Sequence, residues 1–407
     1  MENNKVILAF SGGLDTSFCA IYLKESLNLE VHAVLIDTGG FDSQELERIE
    51  NHAYLLGVKS FEWIDLKEEF YEECLRFLIY GNVLKNHTYP LSVSAERMFQ
   101  ARAVANYGQK IGAGYLAHGS TGAGNDQVRF DMVFQILCPE MKIITPIRDL
   151  KLNREKEIEY LKEHGVIYSY EKAAYSINKG IWGTSVGGKE TLNSRDSLPE
   201  SAYPTQATET KPREMKISFL DGEISAVDDR KFSNPVEAIQ YIHEIASPYG
   251  IGRDIHVGDT IIGIKGRVGF EAASALIIIK AHQLLEKHTL TKNQMLWKDQ
   301  LSVYYGTLLH EGLFLDPVLR NIETFLKDTQ KTVNGNIFID LFPYRFVLKG
   351  IESPNDLMSW KFGSYGEMNN TWTGEDVKGF SKIAANQISI FHSINPDYTS
   401  KTHHRDQ

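Results

Sequence analysis

Apolar runs that each end in a turn of glycine and small polar residues recur in the first third of the chain, and they restrict its fold more than any other feature. Residues 6–10 lead into Ser11-Gly12-Gly13-Leu14-Asp15-Thr16-Ser17, and 31–36 into Asp37-Thr38-Gly39-Gly40. Residues 115–118 lead into a glycine-rich stretch that ends at Asn125-Asp126. Two further strand-like runs are 60–66 and 143–145, the second stopped by Pro146. Helical patterns lie between them: 16–25, a segment with Leu46, Ile49, Ala53 and Leu56 at helical spacing and Gly57 as its stop, 94–112, and 153–164 closed by Gly165. Strands separated by helices predict a parallel sheet with right-handed crossovers. In such sheets ligands sit beyond the carboxyl ends of the strands. All three glycine-rich turns fall at that edge.

Beyond residue 170 the pattern changes. A stretch from 173 to 214, rich in Ser, Thr, Gly and Pro, reads as loop, and the boundary is placed at 168–175. Asp221-Gly222 between "KISFL" and "EISAV" marks a hairpin, and Asn334-Gly335 lies between two further strand-like runs. "TIIGIKGRVG" reads as strand and 270–287 as helix. This half is expected to be α+β and antiparallel. A chain of 407 residues exceeds one ordinary core. The expected division is an α/β parallel-sheet domain over 1–170, an α+β domain over 171–357, and a C-terminal tail over 358–407 with a weakly amphipathic segment at 378–393.

A net charge of −10 argues against a nucleic-acid partner. Cys19, Cys74 and Cys138 are too far apart for a metal motif or a disulfide framework, so reduced thiols in the cytoplasm are expected. No run approaches the ~18 apolar residues of a membrane span; residues 275–279 stop at Lys280. His403-His404 is too short to mark a metal site.

A strand that turns into a helix N-terminus presents unpaired backbone N–H groups and the positive end of a dipole. In 11–17, glycines allow close approach of an anion while Ser11, Thr16 and Ser17 add hydroxyl donors. This suits a phosphate group; the plain alternative is a tight turn with a Ser/Thr helix cap. Asp15 would repel a bare phosphate but could hold Mg2+ against one. The dinucleotide pattern G-x-G-x-x-G is absent here. A near match to the Walker pattern, 183–189, has Glu190 where a Ser or Thr should stand, and reads as a polar loop.

"SGGLDTS" resembles the pyrophosphate loop of the N-type ATP pyrophosphatases, which cleave ATP between its α and β phosphates. The loop alone does not choose among the members of that superfamily. "AHGSTGAGNDQVRF", 117–130, brings Thr121, Asn125, Asp126 and Arg129 within nine residues, a set able to hold both ends of an amino acid; a turn with a solvated Asp and Arg is the plain alternative. This stretch closely resembles the signature of the argininosuccinate synthase family, as do "TYPLSVSAER" (88–97), "YSINKGIWGTS" (175–185) and "IGIKGR" (262–267). The resemblance covers most of residues 5–270 and thins beyond.

The resemblance implies ligation of citrulline and aspartate, with ATP split to AMP and pyrophosphate, through a citrullyl-AMP intermediate. It implies ATP at Ala9, Phe10, Ser11, Gly12, Gly13, Leu14, Asp15, Thr16 and Ser17, with Ile36 and Gly119 against the nucleotide and Mg2+ at Asp15. Aspartate would fall to Thr121, Asn125 and Asp126. Citrulline would fall to Tyr89, Ser94, Asn125, Arg129, Ser176 and Ser185. The catalytic roles would rest on Ser11, Asp15, Asp126 and Arg129. It also implies a homotetramer with C-terminal segments reaching neighbouring subunits.

Two departures stand out. The family follows its second strand with a Val-Gly-Gln-like turn, where this chain has Asp37-Thr38-Gly39-Gly40. The family also completes the citrulline site with a glutamate and a tyrosine flanking the "IGIKGR" stretch, where this chain has Gly258 and Phe270. The carboxylate that would pair the α-ammonium of citrulline is missing. Three accounts are open: Asp254, Asp259 or Glu271 replaces it, the alignment is displaced, or the substrate is an N-acylated citrulline. Two rivals to the ligase are an RNA thiolase, which needs a reactive cysteine and a basic face, and a non-catalytic nucleotide-binding relative.

Overall fold

The structure, a computed structural model, describes residues 4–166, 175–358 and 371–400. Strand β1 (Lys5–Ala9) pairs in parallel on one side with β2 (Glu30–Asp37) and on the other with β4 (Tyr115–Ala117). The outer positions are taken by β3 (Ser60–Asp65) and β5 (Lys142–Ile144), which gives a five-stranded parallel sheet in the order β3-β2-β1-β4-β5. Helices cover both faces, as parallel sheets require. Alternation along β1 decides which face each residue meets. Val6 and Leu8 pack with Phe18, Leu23 and Ile49 from helices Leu14–Glu25 and Ser43–Leu55. Ile7 packs on the other side with Val104 and Ala105 from helix Ser92–Ile111. A single buried cluster then runs from Ile7 to Leu341 across both halves. The expected boundary at 168–175 lies, except for its last residue, outside the described residues.

Residues read as loop in 173–214 contain two strands, β6 (Ser176–Gly180) and β7 (Gly183–Gly187), a hairpin in the four-stranded antiparallel sheet β11-β12-β7-β6. The partners are β11 (Arg253–Asp259) and β12 (Lys265–Glu271). Small and polar residues hid the hairpin from a hydrophobicity pattern. Its anchor is Trp182, fully buried at the tip, whose indole N–H donates to Pro90 O at 2.9 Å. The Walker-like stretch 183–189 is therefore a strand over 183–187 that runs into a 3-10 turn at Lys189, and not a polar loop.

The Asp37–Gly40 turn closes onto the same hairpin. Ile181 N–H donates to Thr38 O at 2.8 Å, and a Cβ on Gly39 (φ +98°) would lie 2.7 Å from Ile181 Cβ. A side chain there would separate hairpin from sheet.

A third sheet, order β10-β9-β8-β13-β14, is built from antiparallel neighbours: β8 (Arg213–Leu220), β9 (Glu223–Val227), β10 (Arg230–Lys231), β13 (Gly335–Phe342) and β14 (Arg345–Glu352). Asp221-Gly222 is the β8–β9 turn. Asn334-Gly335 does not join two strands: a 3-10 turn, Gln330–Thr332, precedes it, and the hairpin turn after β13 falls at Pro343-Tyr344. Nor is 260–269 one strand. Residues 260–264 form a turn closed by Thr260 N–H donating to Ile264 O, and Ile262 and Ile264 are exposed.

The chain separates into two compact units, Met1–Asn355 and Asp356–Gln407. In the second, helix Gly374–Ile394 starts at a Thr373 capping box and buries none of its residues. Among the described residues no helix is long and apolar enough to cross a membrane.

Packing in the larger unit includes a buried ionic cluster. Lys298 and Glu286 are both fully buried, 2.7 Å apart, and Asn82 and Gln330 donate to the same carboxylate. Removing one partner of a buried pair leaves an uncompensated charge and costs about 3–5 kcal/mol. Lys298→Ala is expected to lower the urea unfolding midpoint accordingly, while Lys→Ala changes at exposed positions leave it nearly unmoved.

Candidate active site

A cavity of about 1150 Å³ opens at the carboxyl edge of the parallel sheet. Its floor is the turn after β1. Gly13 is the helix N-cap, with no side-chain cap, and Ser17 N–H is the amide that bonds back to Gly13 O. The three helix amides before it have no intrahelical acceptor and form an anion cradle. Loop hydroxyls brace the cradle: Gly13 N–H donates to Ser11 Oγ at 3.4 Å, and Ser11 and Thr16 hydroxyls lie 3.3 Å apart.

Ala9, Phe10, Ser11, Gly13, Leu14, Asp15, Thr16, Ile36 and Gly119 all line this cavity. Gly12 and Ser17 are not on its wall. Ser17 is fully buried and its hydroxyl is spent on Gly13 O (2.7 Å) and His52 Nε2 (2.8 Å). It supports the loop from behind, so the expected direct contact with phosphate does not fit its position.

Beside Asp15 stands Glu157, a residue the sequence did not single out. Burial, then the Asp15 charge and a hydrogen bond to it, push the Glu157 carboxyl up to about 8. Its Oε2 is buried and has no hydrogen-bond partner.

The glycine-rich loop after β4 forms the next wall. His118 Nε2 meets Asp131 at 3.0 Å, Arg148 reaches the same carboxylate at 2.6 Å, and Gln127 donates to Gly122 O and Gly124 O. Asn125 Oδ1 accepts from Ile261 N–H at 2.8 Å, which ties this loop to the β11–β12 turn. Asp126 opens helix Asp126–Leu137 and accepts from Arg97 Nε (2.9 Å) and Arg129 Nη1 (2.8 Å). Burial alone would raise its pKa; the two guanidiniums outweigh burial and hold it below the usual carboxylate range. Arg129 also donates from Nε and Nη2 to His310 O, so three of its five N–H groups are engaged.

The site also draws on Glu96 and Arg97, the last two residues of the 88–97 stretch. Arg97 joins Asp126 to Asn178 of β6. Glu96, almost fully buried, accepts from Thr38 Oγ1 at 2.6 Å; burial lifts its carboxyl to about 7 against the pull of Arg97 and Thr38. Adjacent acid and base in "SAER" were the available signal. Without the fold they read as a surface pair.

Tyr89, Ser94, Thr121, Asn125, Asp126, Arg129, Ser176 and Ser185 line the same cavity. Tyr89 Oη accepts from Val93 N–H and Ser92 Oγ, which leaves its own hydroxyl proton to donate. Ser94 Oγ is buried without a partner. Two hydroxyls with spare hydrogen-bonding capacity therefore stand on the cavity wall.

The three acids offered as replacements at Gly258 are placed differently from one another. Glu271 is buried against Arg253 at 3.0 Å, Asp254 is exposed outside the cavity, and Asp259, exposed on the rim, is held by Lys265 at 2.6 Å. His256 fills the space instead: a Cβ on Gly258 would lie 2.5 Å from His256 Nε2. The imidazole stacks on Tyr89 (5.1 Å), which packs on Phe270 (5.4 Å).

Two family models match the chain: the arginosuccinate synthase N-terminal HUP domain over residues 5–167 and the arginosuccinate synthase C-terminal domain over 175–391. The chain belongs to the argininosuccinate synthase family. Similar proteins carrying that name include one from Methanocaldococcus jannaschii, 36% identical over 89% of this chain and 91% of the relative. Another, from Dictyoglomus thermophilum, is 36% identical over 96% and 98%, and a third, from Pyrococcus furiosus, 35% over 96% and 95%. As a family member the chain combines a parallel-sheet HUP domain with a C-terminal part built on antiparallel sheets.

Glu157 and Glu96 both titrate above the ordinary carboxyl value of 4.5. Below that value folded and unfolded states are equally protonated and the stabilisation is complete. As pH rises to 8 the unfolded state ionises first and stability falls, by up to about 1.4 kcal/mol per pH unit for each proton retained. The urea midpoint is expected to drop between pH 5 and pH 8, and Glu157→Gln to flatten part of that drop.

Proposed function

We propose that the cavity carries out the AMP-forming ligation of a citrulline ureido group to aspartate, a carbon–nitrogen ligation of arginine biosynthesis. The supporting observation is that the anion cradle after β1 and the Asn125–Asp126 loop after β4 open onto one cavity, in a chain of this family. ATP is the co-substrate. Its β and γ phosphates sit at Ser11, Gly13 and the amides of residues 14–16, and its adenosine lies toward Ile36 and Gly119.

A ureido carbon is a poor electrophile because its nitrogen lone pairs stabilise it. The ureido oxygen attacks the α phosphorus, the bond to the β-phosphate oxygen breaks, and pyrophosphate leaves with the electron pair. The aspartate amine then adds to the activated carbon and AMP departs. The protein contributes position and electrostatics, with no nucleophilic side chain. Asp126 and Thr121 meet the aspartate substrate. Arg129, Tyr89 and Ser94 hold the carboxylate end of the citrulline, and Ser176 and Ser185 lie along it. Asp126, clamped by two arginines, stays ionised and faces the incoming amino acid without a change of conformation.

Asp15 and Glu157 fit a divalent cation, since Glu157 keeps a buried oxygen with no partner. Mg2+ would take those oxygens with phosphate oxygens and water, and would neutralise charge on the departing pyrophosphate. Among the described residues no three acidic, histidine or cysteine side chains group for a metal.

Buried, unpaired Cys19, Cys74 and Cys138 support a cytoplasmic setting. The same three buried thiols, in an acidic chain, speak against the RNA thiolase. The exposed apolar residues Val377, Phe380, Ile388, Phe391 and Ile394 of the C-terminal helix support self-association, with a homotetramer as the proposed state.

With ATP, aspartate and a panel of citrullines, AMP and pyrophosphate are expected in equal amounts; ADP and orthophosphate would overturn the reading, and no release with any citrulline would favour a non-catalytic relative. Asp126→Ala is expected to lower kcat/KM for aspartate on the order of 100-fold or more, while ATP binding measured by calorimetry changes little. Phe380→Asp is expected to shift the sedimentation profile to smaller species.

A further inference from the structure

The end of the cavity bounded by Tyr89, Gly258 and His256 has an unbalanced charge. Arg129 is nearly buried there. Arg267 also lines the cavity, and its guanidinium donates to the backbone carbonyls of Glu190, Asn193 and Asp196. Lys85, whose ammonium donates to Thr307, lies close enough to act electrostatically on both His256 and His310. On the acidic side, Asp126 is shared by Arg97 and Arg129, Asp259 is tied to Lys265, and Glu271 is tied to Arg253.

This surrounding welcomes a carboxylate and opposes an ammonium. A citrulline with a free α-amine would bring a further cation among these groups with no carboxylate outside an existing ion pair, and burying an unpaired charge is costly. An amide at the same nitrogen is neutral and asks only for hydrogen-bonding partners. One stands ready: His256 is nine-tenths buried, lines the cavity, and has a ring nitrogen, Nδ1, with no partner. Gly258, Gly266 and Val268 offer the small and apolar wall that an acyl chain needs.

We propose that the site takes a citrulline whose α-nitrogen carries a small acyl group. The proposal rests on the ligase reading above, with the ureido group at the nucleotide and the α-carbon at the Tyr89–Gly258 end. It identifies the substrate class of that same site, and it places an N-acylating reaction before this step and a deacylation after it. The ligation is unchanged: the acyl amide keeps all its bonds while the ureido oxygen is adenylylated and replaced.

Pyrophosphate release by the intact wild-type chain, measured with ATP, aspartate and in turn citrulline, N-acetylcitrulline and N-succinylcitrulline, tests it. The expected result is a kcat/KM for at least one acylated form at least 100-fold above that for free citrulline, equivalent to about 2.7 kcal/mol. Equal or greater kcat/KM with free citrulline overturns the acyl assignment and leaves the ligase reading standing. No release with any of the three overturns both.

Discussion

A parallel strand order is the constraint from which the rest follows. Because β1 lies between β2 and β4 and all run in the same direction, the three turns that follow them must emerge at one edge. The crossovers that make this possible are helices, and the first of them begins at the edge itself. Its open amides become the cradle, and its opposite face becomes core through Phe18, Ala20 and Leu23. Site and fold are thus set by the same residues, and the turn after β1 cannot move without the helix that covers the sheet.

On that edge the protein collects charge where solvent is thin. Asp126 draws Arg97 and Arg129 to itself, Arg97 continues to Asn178, and Arg129 continues to the terminal carbonyl of helix Lys292–His310. The helix dipole ends negative at that carbonyl, which complements the guanidinium. The result is a chain of charge-assisted hydrogen bonds joining the parallel sheet, the small antiparallel sheet and a helix from the far half. Such a network is costly to bury unless each member is satisfied, and its reward is fixed geometry more than stability. Preorganised charge is what the adenylylation chemistry asks for.

Most of the first 165 residues were legible because period and punctuation agree: Gly57, Gly112 and Gly165 each end a helix with positive φ, and Asn153 caps one. The second half was less so. The hairpin of β6 and β7 is mostly small and polar residues, with Ile177 and Val186 its only large apolar strand residues, and owes its place to a buried tryptophan, a tertiary anchor that no local pattern reports. The isoleucines of 261–264 imitated a strand although two of them face solvent. In the site, the glycine-rich motifs announced themselves. Glu96, Arg97, Glu157, His256 and His310 did not, because each draws its role from a partner dozens to hundreds of residues away. Ser17 is the converse case: its motif pointed forward to a ligand, and its hydroxyl points back to His52.

The imidazole of His256 above Gly258 also bears on how such a chain can evolve. With Nε2 only 2.5 Å from where a Cβ would stand, a side chain at position 258 requires the imidazole of His256 to leave its place against Tyr89. An acid at 258 therefore asks for a different placement of the residue at 256. The two positions are therefore coupled by steric contact on one face of a single strand.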